Sequence, residues 1–223
     1  KEKSMAVYEA LKKKGKKLEP EYYTENPAEL LAILRQESKA KDELILRLQG
    51  ELRRKLEFDE LTGIYNRNTF CRKVRELLQE QETEEFVLVR MDIEHFKLIN
   101  DRYGHEEGDY SLHTIAEILA EIVQKEQTGD GVVARIGGDE YACALMTEKK
   151  KELLLQELYD AFTVRNEQSD KPYNVTVSIG ACALEPGDEH SLADALSLAD
   201  EQLYEVKKLR KKDEILRHSL QNQ

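Results

Sequence analysis

The sequence predicts an α/β fold, a sandwich of helices on a central mixed sheet (α+β), on three observations. Two short β-prone runs, Val132-Val133-Ala134-Arg135-Ile136 and Tyr141-Ala142-Cys143-Ala144-Leu145, are joined through Gly137-Gly138. They read as a hairpin, because glycine takes the positive φ that a tight turn needs. Residues 86–92 form a mostly apolar run of strand length, with the composition of a buried central strand. Helical patterns alternate with these strands and with a further β-rich run around Val175, and such alternation builds a sheet covered by helices.

In chain order, residues 1–24 are lysine-rich, with short helical potential from Met5 to Leu11, and are expected to be weakly ordered unless something upstream extends them. Asn26-Pro27 starts a helix, Asn as cap and Pro at the first helical position. From there to Glu57 the pattern is helical, with Leu31, Leu34, Ile45, Leu48, Leu52 and Leu56 on one stripe. Positions 31, 34, 38, 41, 45, 48 and 52 make a heptad seam, weakened in its middle by Ser38 and Lys41. Two readings are open here: an amphipathic helix packed on its own domain, and a dimerising stalk that carries a signal into the rest of the chain.

Residues 59–67 form a turn and cap, and Asn66 or Asn68 starts a helix running to about Gln81. After the strand at 86–92 come a short helix at about 96–103 and a longer one at about 109–125. The hairpin occupies 131–145, a helix covers about 149–166, and 173–183 is β-rich. There the alternation of Val175, Val177 and Ile179 gives one buried face. Ser191 caps a last helix with Leu192, Ala195, Leu196, Ala199, Leu203 and Val206 on its apolar stripe, and the charged tail continues it. The expected organisation is a helical stalk at 1–57, a domain at 58–211 and a charged tail at 212–223.

Composition narrows the function. The 223 residues are 35% charged and 7% aromatic with no Trp, which suits exposed helix around a modest core. A net charge of −11 argues against a nucleic-acid partner, whose phosphates call for a basic surface, but not against a nucleotide, which needs a few local cations. No run reaches membrane-spanning length and no signal peptide is visible. Cys71, Cys143 and Cys182, without CxxC spacing, fit free thiols in a reducing cytoplasm, and the scattered histidines offer no zinc pair. The opening Lys1 suggests a fragment that lacks an N-terminal partner domain.

The chemistry gathers where the strands end. Asp139 and Glu140 are adjacent carboxylates on a turn with almost no side-chain cover, and alone they read as a solvated acidic turn. Asp92 stands where its apolar run gives out, and a buried carboxylate calls for a cation or metal partner. With that strand beside the hairpin, Asp92 and Asp139 converge on a divalent ion. Hard oxygen ligands suit magnesium, with manganese as an alternative, and magnesium completes its shell with phosphates and water.

These stretches, with Asp59-Glu60-Leu61-Thr62-Gly63-Ile64-Tyr65-Asn66-Arg67 before them and Val175-Thr176-Val177-Ser178-Ile179-Gly180 after, resemble the GGDEF family of diguanylate cyclases. The similarity runs in order from about Asp59 to about Lys211, and it favours the stalk reading of the first helix. It implies a palm-like fold related to class III nucleotidyl cyclases, and the condensation of two GTP into cyclic di-GMP with release of pyrophosphate in bacterial second-messenger signalling. The implied enzyme is a homodimer, joined through the stalk or head to head at its active sites, since each site supplies half the reactants.

Carried over by resemblance, Asp92, Asp139 and the carbonyl of Ile93 are the metal positions. Glu140 assists the metal or removes the 3′-hydroxyl proton, which makes Asp139 and Glu140 the catalytic pair. At Gly137 and Gly138 the backbone passes close to the nucleotide, where a side chain would collide. Asn100 and Asp109 recognise guanine; Asp109 accepts from its N1–H and N2–H₂ donors and should reject ATP. Lys97 and Lys207 contact phosphates, helped by backbone amides near His95 to Lys97, and Phe96 stands with them at the substrate.

Two departures from the family pattern are visible. Arg210 falls where Gly is usual and Lys211 where Arg is usual, which predicts weaker triphosphate binding, because Lys lacks the bidentate fork of Arg. Thr128 and Gly131 replace the Arg and Asp of the family's inhibitory product site, so product inhibition through it is expected to be missing. Glu94 and His95, where Asp and Phe are commoner, are minor changes. The competing readings are a catalytically silent domain of this family that binds GTP and regulates an attached module, and a helical dimerisation module whose palm is only structural. A sensory domain upstream is expected, and any membrane tether would belong to it.

Overall fold

The computed structural model describes residues 27–80, 85–125, 131–147, 149–184 and 192–221. Its elements are α1 (Pro27–Glu57), β1 (Tyr65–Asn66), α2 (Arg67–Glu80), β2 (Glu85–Ile93), α3 (Phe96–Tyr103), α4 (His105–Lys125), β3 (Gly131–Arg135), β4 (Glu140–Thr147), α5 (Lys151–Glu167), β5 (Val177–Leu184) and α6 (Leu192–Gln221). The expectations for residues 1–24, the cap at Asn26, the product-site position Thr128 and the cap at Ser191 lie outside the described residues. The chain divides into two compact units, Lys1–Arg54 and Lys55–Gln223.

In the first unit the helix begins at Pro27, where the fixed φ of proline suits a first helical position. Its seam residues Leu31, Ile45, Leu48 and Leu52 are 49–58% exposed. Pairs such as Arg47–Glu51 at 2.9 Å join side chains one turn apart, each contributing about 0.3–0.5 kcal/mol.

The second unit is built on a five-stranded sheet of order β1-β3-β4-β2-β5. The β1–β3 pairing is parallel and the others antiparallel, so the sheet is mixed, as the sequence predicts. The apolar run of β2 lies between β4 and β5 and is buried on both faces. Val87, Val89 and Met91 pack with Ile115 and Leu119 of α4 and Leu154 and Leu158 of α5. Phe86 and Leu88 pack the other way, with Phe70 and Val74 of α2 and Ala195 and Ala199 of α6. At Gly180 of β5 the sheet lies so near α6 that an added Cβ would stand 2.2 Å from the Ala199 carbonyl oxygen. Asn66 is the residue that caps α2, its Oδ1 accepting from the Thr69 amide at 3.1 Å.

Four local expectations are corrected. Gly137 and Gly138 do not take positive φ; among the described residues only Gly63, Gly104 and His95 do. The hairpin tip is a wider turn closed by the amides of Ile136 and Gly137 on the Glu140 carbonyl, at 2.9 and 3.3 Å, and needs no left-handed residue. The helix expected from Asp109 begins at His105, because Gly104 at φ 94° ends α3 and its carbonyl accepts the amides of Glu107 and Gly108. The strand expected from Tyr173 begins at Val177, since Val175 is held instead by both amide atoms of Asn166, each at 2.9 Å. The helix expected from Lys149 starts at Lys151. The charged tail does continue the last helix, to Gln221.

Candidate active site

The register of β2 sets Asp92 opposite Glu140 of β4 on one side and Ser178 of β5 on the other. The next amide, that of Ile93, donates to the Asp139 carbonyl at 3.2 Å and stitches the hairpin turn to the strand end. The sheet ladder and this bond therefore bring the backbones of Asp92, Ile93, Asp139 and Glu140 together. Burial pushes the Asp92 carboxyl above the usual range; Lys207 opposes that shift, while the charges of Asp139 and Glu140 reinforce it. Lys207 stands 2.7 Å from Asp92 Oδ2, so the lysine expected at the phosphates is the counter-ion of a predicted metal ligand here.

Among the described residues no group of three or more His, Cys, Asp or Glu side chains is arranged to share a metal ion. The carboxylates meet in register and in charge while Asp92 faces Lys207. Glu140 Oε2 lies 3.5 Å from Arg90 Nη2. Arg90 Nε is 3.1 Å from Asp200 Oδ1 but makes no directed hydrogen bond, so this contact is an ion pair alone.

The turn itself is braced by residues to which the sequence pattern assigns no role. Arg135 donates from Nε and Nη2 to the Gly138 carbonyl at 3.0 and 2.6 Å, and from Nη1 to Asp59 Oδ1 at 3.2 Å. Asp59 Oδ1 also accepts the amide and hydroxyl of Thr62, at 2.9 and 2.7 Å. Burial pushes the Asp59 carboxyl up, yet the hydrogen bonds from Thr62 and the Arg135 charge hold it below the usual range. The signal for this brace was an arginine ending an apolar strand just before the turn. A Cβ at Gly137 would stand 2.9 Å from Glu140 Oε2, whereas one at Gly138 would meet nothing within 4 Å. The protein itself therefore leaves room for a side chain at Gly138.

Across the site, α3 starts at Phe96 with His95 as its N-cap residue at φ 55°, ψ 26°, the one non-glycine residue in left-handed backbone among those described. Backbone of that kind costs about 1–3 kcal/mol and collects at functional sites. Phe96 packs against the core and Lys97 is exposed. Asn100 Oδ1 would lie 2.1 Å from a Cβ on Gly108, so this amide rests on the start of α4, one residue before the exposed Asp109. The predicted guanine pair thus flanks the α3–α4 elbow. On α6, Lys211 is exposed one turn after Lys207. Arg210 Nη1 donates to Glu94 Oε1, and Ser178 Oγ donates to the same oxygen at 2.7 Å. Glu94, a minor change against the family pattern, is the acceptor that ties α6 and β5 to the end of β2.

Comparison with known proteins agrees with this architecture. The family profile described as "Diguanylate cyclase, GGDEF domain" matches residues 56–213. Among curated relatives, the probable diguanylate cyclase DgcT of Escherichia coli (strain K12) is 33% identical over 159 residues, which cover 67% of this chain and 33% of that protein. Diguanylate cyclase VdcA of Vibrio cholerae is 33% identical over 159 residues, 68% of this chain and 44% of that one. The chain spans less than half the length of these relatives. Among solved structures, the coiled coil and GGDEF domain of DgcB from Caulobacter crescentus, in complex with c-di-GMP, superposes with a TM-score of 0.66 at 24% identity, covering 80% of this chain and 94% of that one. Diguanylate cyclase SiaD from Pseudomonas aeruginosa, with its activator SiaC, gives 0.59 at 22% identity, over 93% of this chain and 74% of that one. Both show the same fold. With the profile covering most of its length and relatives named as diguanylate cyclases at one-third identity, the chain belongs to the GGDEF family.

Proposed function

We propose that this chain is a diguanylate cyclase that condenses two GTP into cyclic di-GMP. In each half-reaction a 3′-hydroxyl oxygen bonds to the α-phosphorus of the other nucleotide, the bond to the β,γ-diphosphate breaks, and pyrophosphate leaves. Each site binds one nucleotide, so two copies face one another. The observation that carries the reading is the register that sets Asp92 opposite Glu140 while Ile93 holds the Asp139 backbone.

The donor set fits magnesium or manganese: hard oxygens from Asp92, Asp139 and the Ile93 carbonyl, at a strand end where burial and neighbouring carboxylates already disfavour the charge on Asp92. When bound, the ion neutralises phosphate charge and activates the nucleophile. The protein's own groups do the rest. Glu140 accepts the 3′-hydroxyl proton, Lys207 turns from Asp92 to the phosphates, and Lys97 joins it with the first amides of α3. Asp109 and Asn100 read the guanine edge. The open space at Gly138 lets a nucleotide close on the turn.

In this reading residues 58–211 form the catalytic domain, 1–57 a stalk, and 212–223 a tail. The exposed seam of Leu31, Ile45, Leu48 and Leu52 supports the stalk as a dimer contact, and a sensory domain upstream would supply its signal. No helix of the described residues is long and apolar enough to cross a membrane, which is compatible with a bacterial cytoplasmic setting. Gly131 supports the loss of product inhibition: a Cβ there would stand 2.2 Å from Val123 Cγ1, so an aspartate does not fit without moving it.

A second reading, a silent domain that binds GTP and regulates an attached module, is favoured by Lys207 resting on Asp92 and by lysine at 211. Incubation with GTP and magnesium over a range of protein concentrations, with products separated by chromatography, decides between them. Cyclic di-GMP rising more steeply than protein concentration is the expected result; GTP bound without product at any concentration selects the silent reading.

A further inference from the structure

We infer that Glu107, Lys171 and Tyr173 form a strap that sets the angle of the α3–α4 elbow, and that Glu107 and Tyr173 are thereby positioning residues for guanine selectivity. The inference rests on the assignment of Asn100 and Asp109 to guanine. Those residues stand on opposite sides of Gly104, whose φ of 94° is the whole connection between the helices. Their separation therefore depends on the elbow angle. Within the elbow the Gly104 amide closes α3 on the Asn100 carbonyl at 2.9 Å, the Gly104 carbonyl opens α4, and the Asn100 side chain resting on Gly108 is what spans the two helices.

Residues 171–173 add a grip from outside that touches both helices. The Tyr173 ring packs on Tyr103, the last residue of α3, with centroids 4.9 Å apart. Its hydroxyl is 2.6 Å from Glu107 Oε2 and 3.2 Å from the Glu107 carbonyl oxygen; with a single proton, it donates along the shorter contact. Lys171 Nζ donates to Glu107 Oε1 at 2.8 Å and sits 4.4 Å above the Tyr110 ring. The Tyr103 hydroxyl donates to the Pro172 carbonyl at 3.5 Å.

The strap is anchored behind. Asn166 holds Val175 through two bonds of 2.9 Å, and the Thr176 carbonyl accepts the Glu94 amide at 2.9 Å, two residues beyond Asp92. One short segment thus references the elbow to the strand end where the α-phosphate reacts. A carboxylate at 107 is what lets it do so, because it accepts from both Lys171 and Tyr173 while its own backbone forms the first turn of α4.

The test uses the full chain with Glu107→Ala, Glu107→Gln and Tyr173→Phe, comparing GTP with ITP, which lacks the 2-amino group that Asp109 would read. Glu107→Ala is expected to raise KM for GTP about tenfold and to cut the preference for GTP over ITP about tenfold, with kcat within about threefold. Tyr173→Phe, which keeps the ring on Tyr103, is expected to shift both in the same direction by about threefold, and Glu107→Gln to recover part of the loss. Should Glu107→Ala fail to fold, Tyr173→Phe decides. Product from the wild-type chain with unchanged KM and preference in the variants overturns the strap alone, as does a loss confined to kcat. Absence of product from the wild type overturns the cyclase reading, and the strap is then judged by the GTP-to-ITP ratio of dissociation constants; absence of GTP binding overturns both.

Discussion

At the sheet end of the candidate site, Asp92 and Glu140 are fixed by the β2–β4 ladder, whereas at the other end Asn100 and Asp109 stand on two helices that meet at one glycine. The first geometry is over-determined: register, the Ile93–Asp139 bond and the Arg135 fork on Gly138 all place the same turn. The second depends on side chains brought from a distant loop. The difference teaches where each kind of failure should appear. Changes at the sheet end should remove chemistry and leave the fold, while changes at the elbow should alter which base is accepted.

The strongest attempt to break this contrast is alanine at either turn carboxylate. Asp139→Ala and Glu140→Ala are each expected to lower cyclic di-GMP formation at least about a thousandfold, the scale of a lost metal ligand or base. Glu140 is half-exposed and Asp139 lies on the same turn, so each variant should melt within about 2 °C of the wild type. Chromatographic assay and calorimetry check the two halves, and Asp139→Ala with turnover within tenfold of the wild type would move the chemistry elsewhere. At the elbow, Asp109→Asn exchanges an acceptor for a partial donor. The preference for GTP over ATP in KM should fall about 10- to 100-fold with a smaller change in kcat; an unchanged preference would free Asp109 of base reading.

The same contrast governs how much could be read from the sequence. The carboxylates at the sheet end were legible because the chemistry dictates residue type and because strand patterning locates them. Asp92 ends an apolar run, and Asp139 and Glu140 sit at a hairpin tip. The backbone was less legible: the glycines announced a tight turn, and a wider one closed on the Glu140 carbonyl formed instead. Long-range partners were not legible. Arg135 and Asp59 are 76 residues apart, and Tyr173 and Glu107 are 66 apart, with no periodicity linking either pair. The resemblance assigns Lys207 to the phosphates, whereas its contact with Asp92, 115 positions away in the chain, has no counterpart in the sequence pattern.

A milder probe of the sheet end concerns α6, where Lys207 and Arg210 grip the end of β2 and Lys211 carries its charge at an exposed position. A flexible, solvated ammonium contributes little to a phosphate contact compared with a fork. Lys211→Ala is accordingly expected to weaken GTP binding by about two- to threefold in a calorimetric titration. Unchanged affinity would take Lys211 out of the site and leave α6 with Lys207 as its phosphate contact.

The smallest expected effect is one of stability, and it tests whether the sheet end is strained by its own charge. Burial raises the Asp92 carboxyl above its ordinary value of 3.8, and the neighbouring carboxylates add to that shift against the pull of Lys207. A folded-state value above the unfolded one means that the folded chain binds the proton more tightly. The stabilisation is therefore full below the unfolded value and is lost as pH rises through the folded one, so at neutral pH the ionised group works against the fold. Asp92→Asn removes that charge. Lys207 loses its partner but is 43% exposed and can return to water. Without divalent ions, Asp92→Asn should melt about 2 °C higher than the wild type at pH 7, and this gain should shrink as pH is lowered toward about 4. A lower melting temperature would mean that the Lys207 ion pair outweighs burial and like-charge crowding, and that the sheet end is as well satisfied without a ligand as the elbow is with its strap.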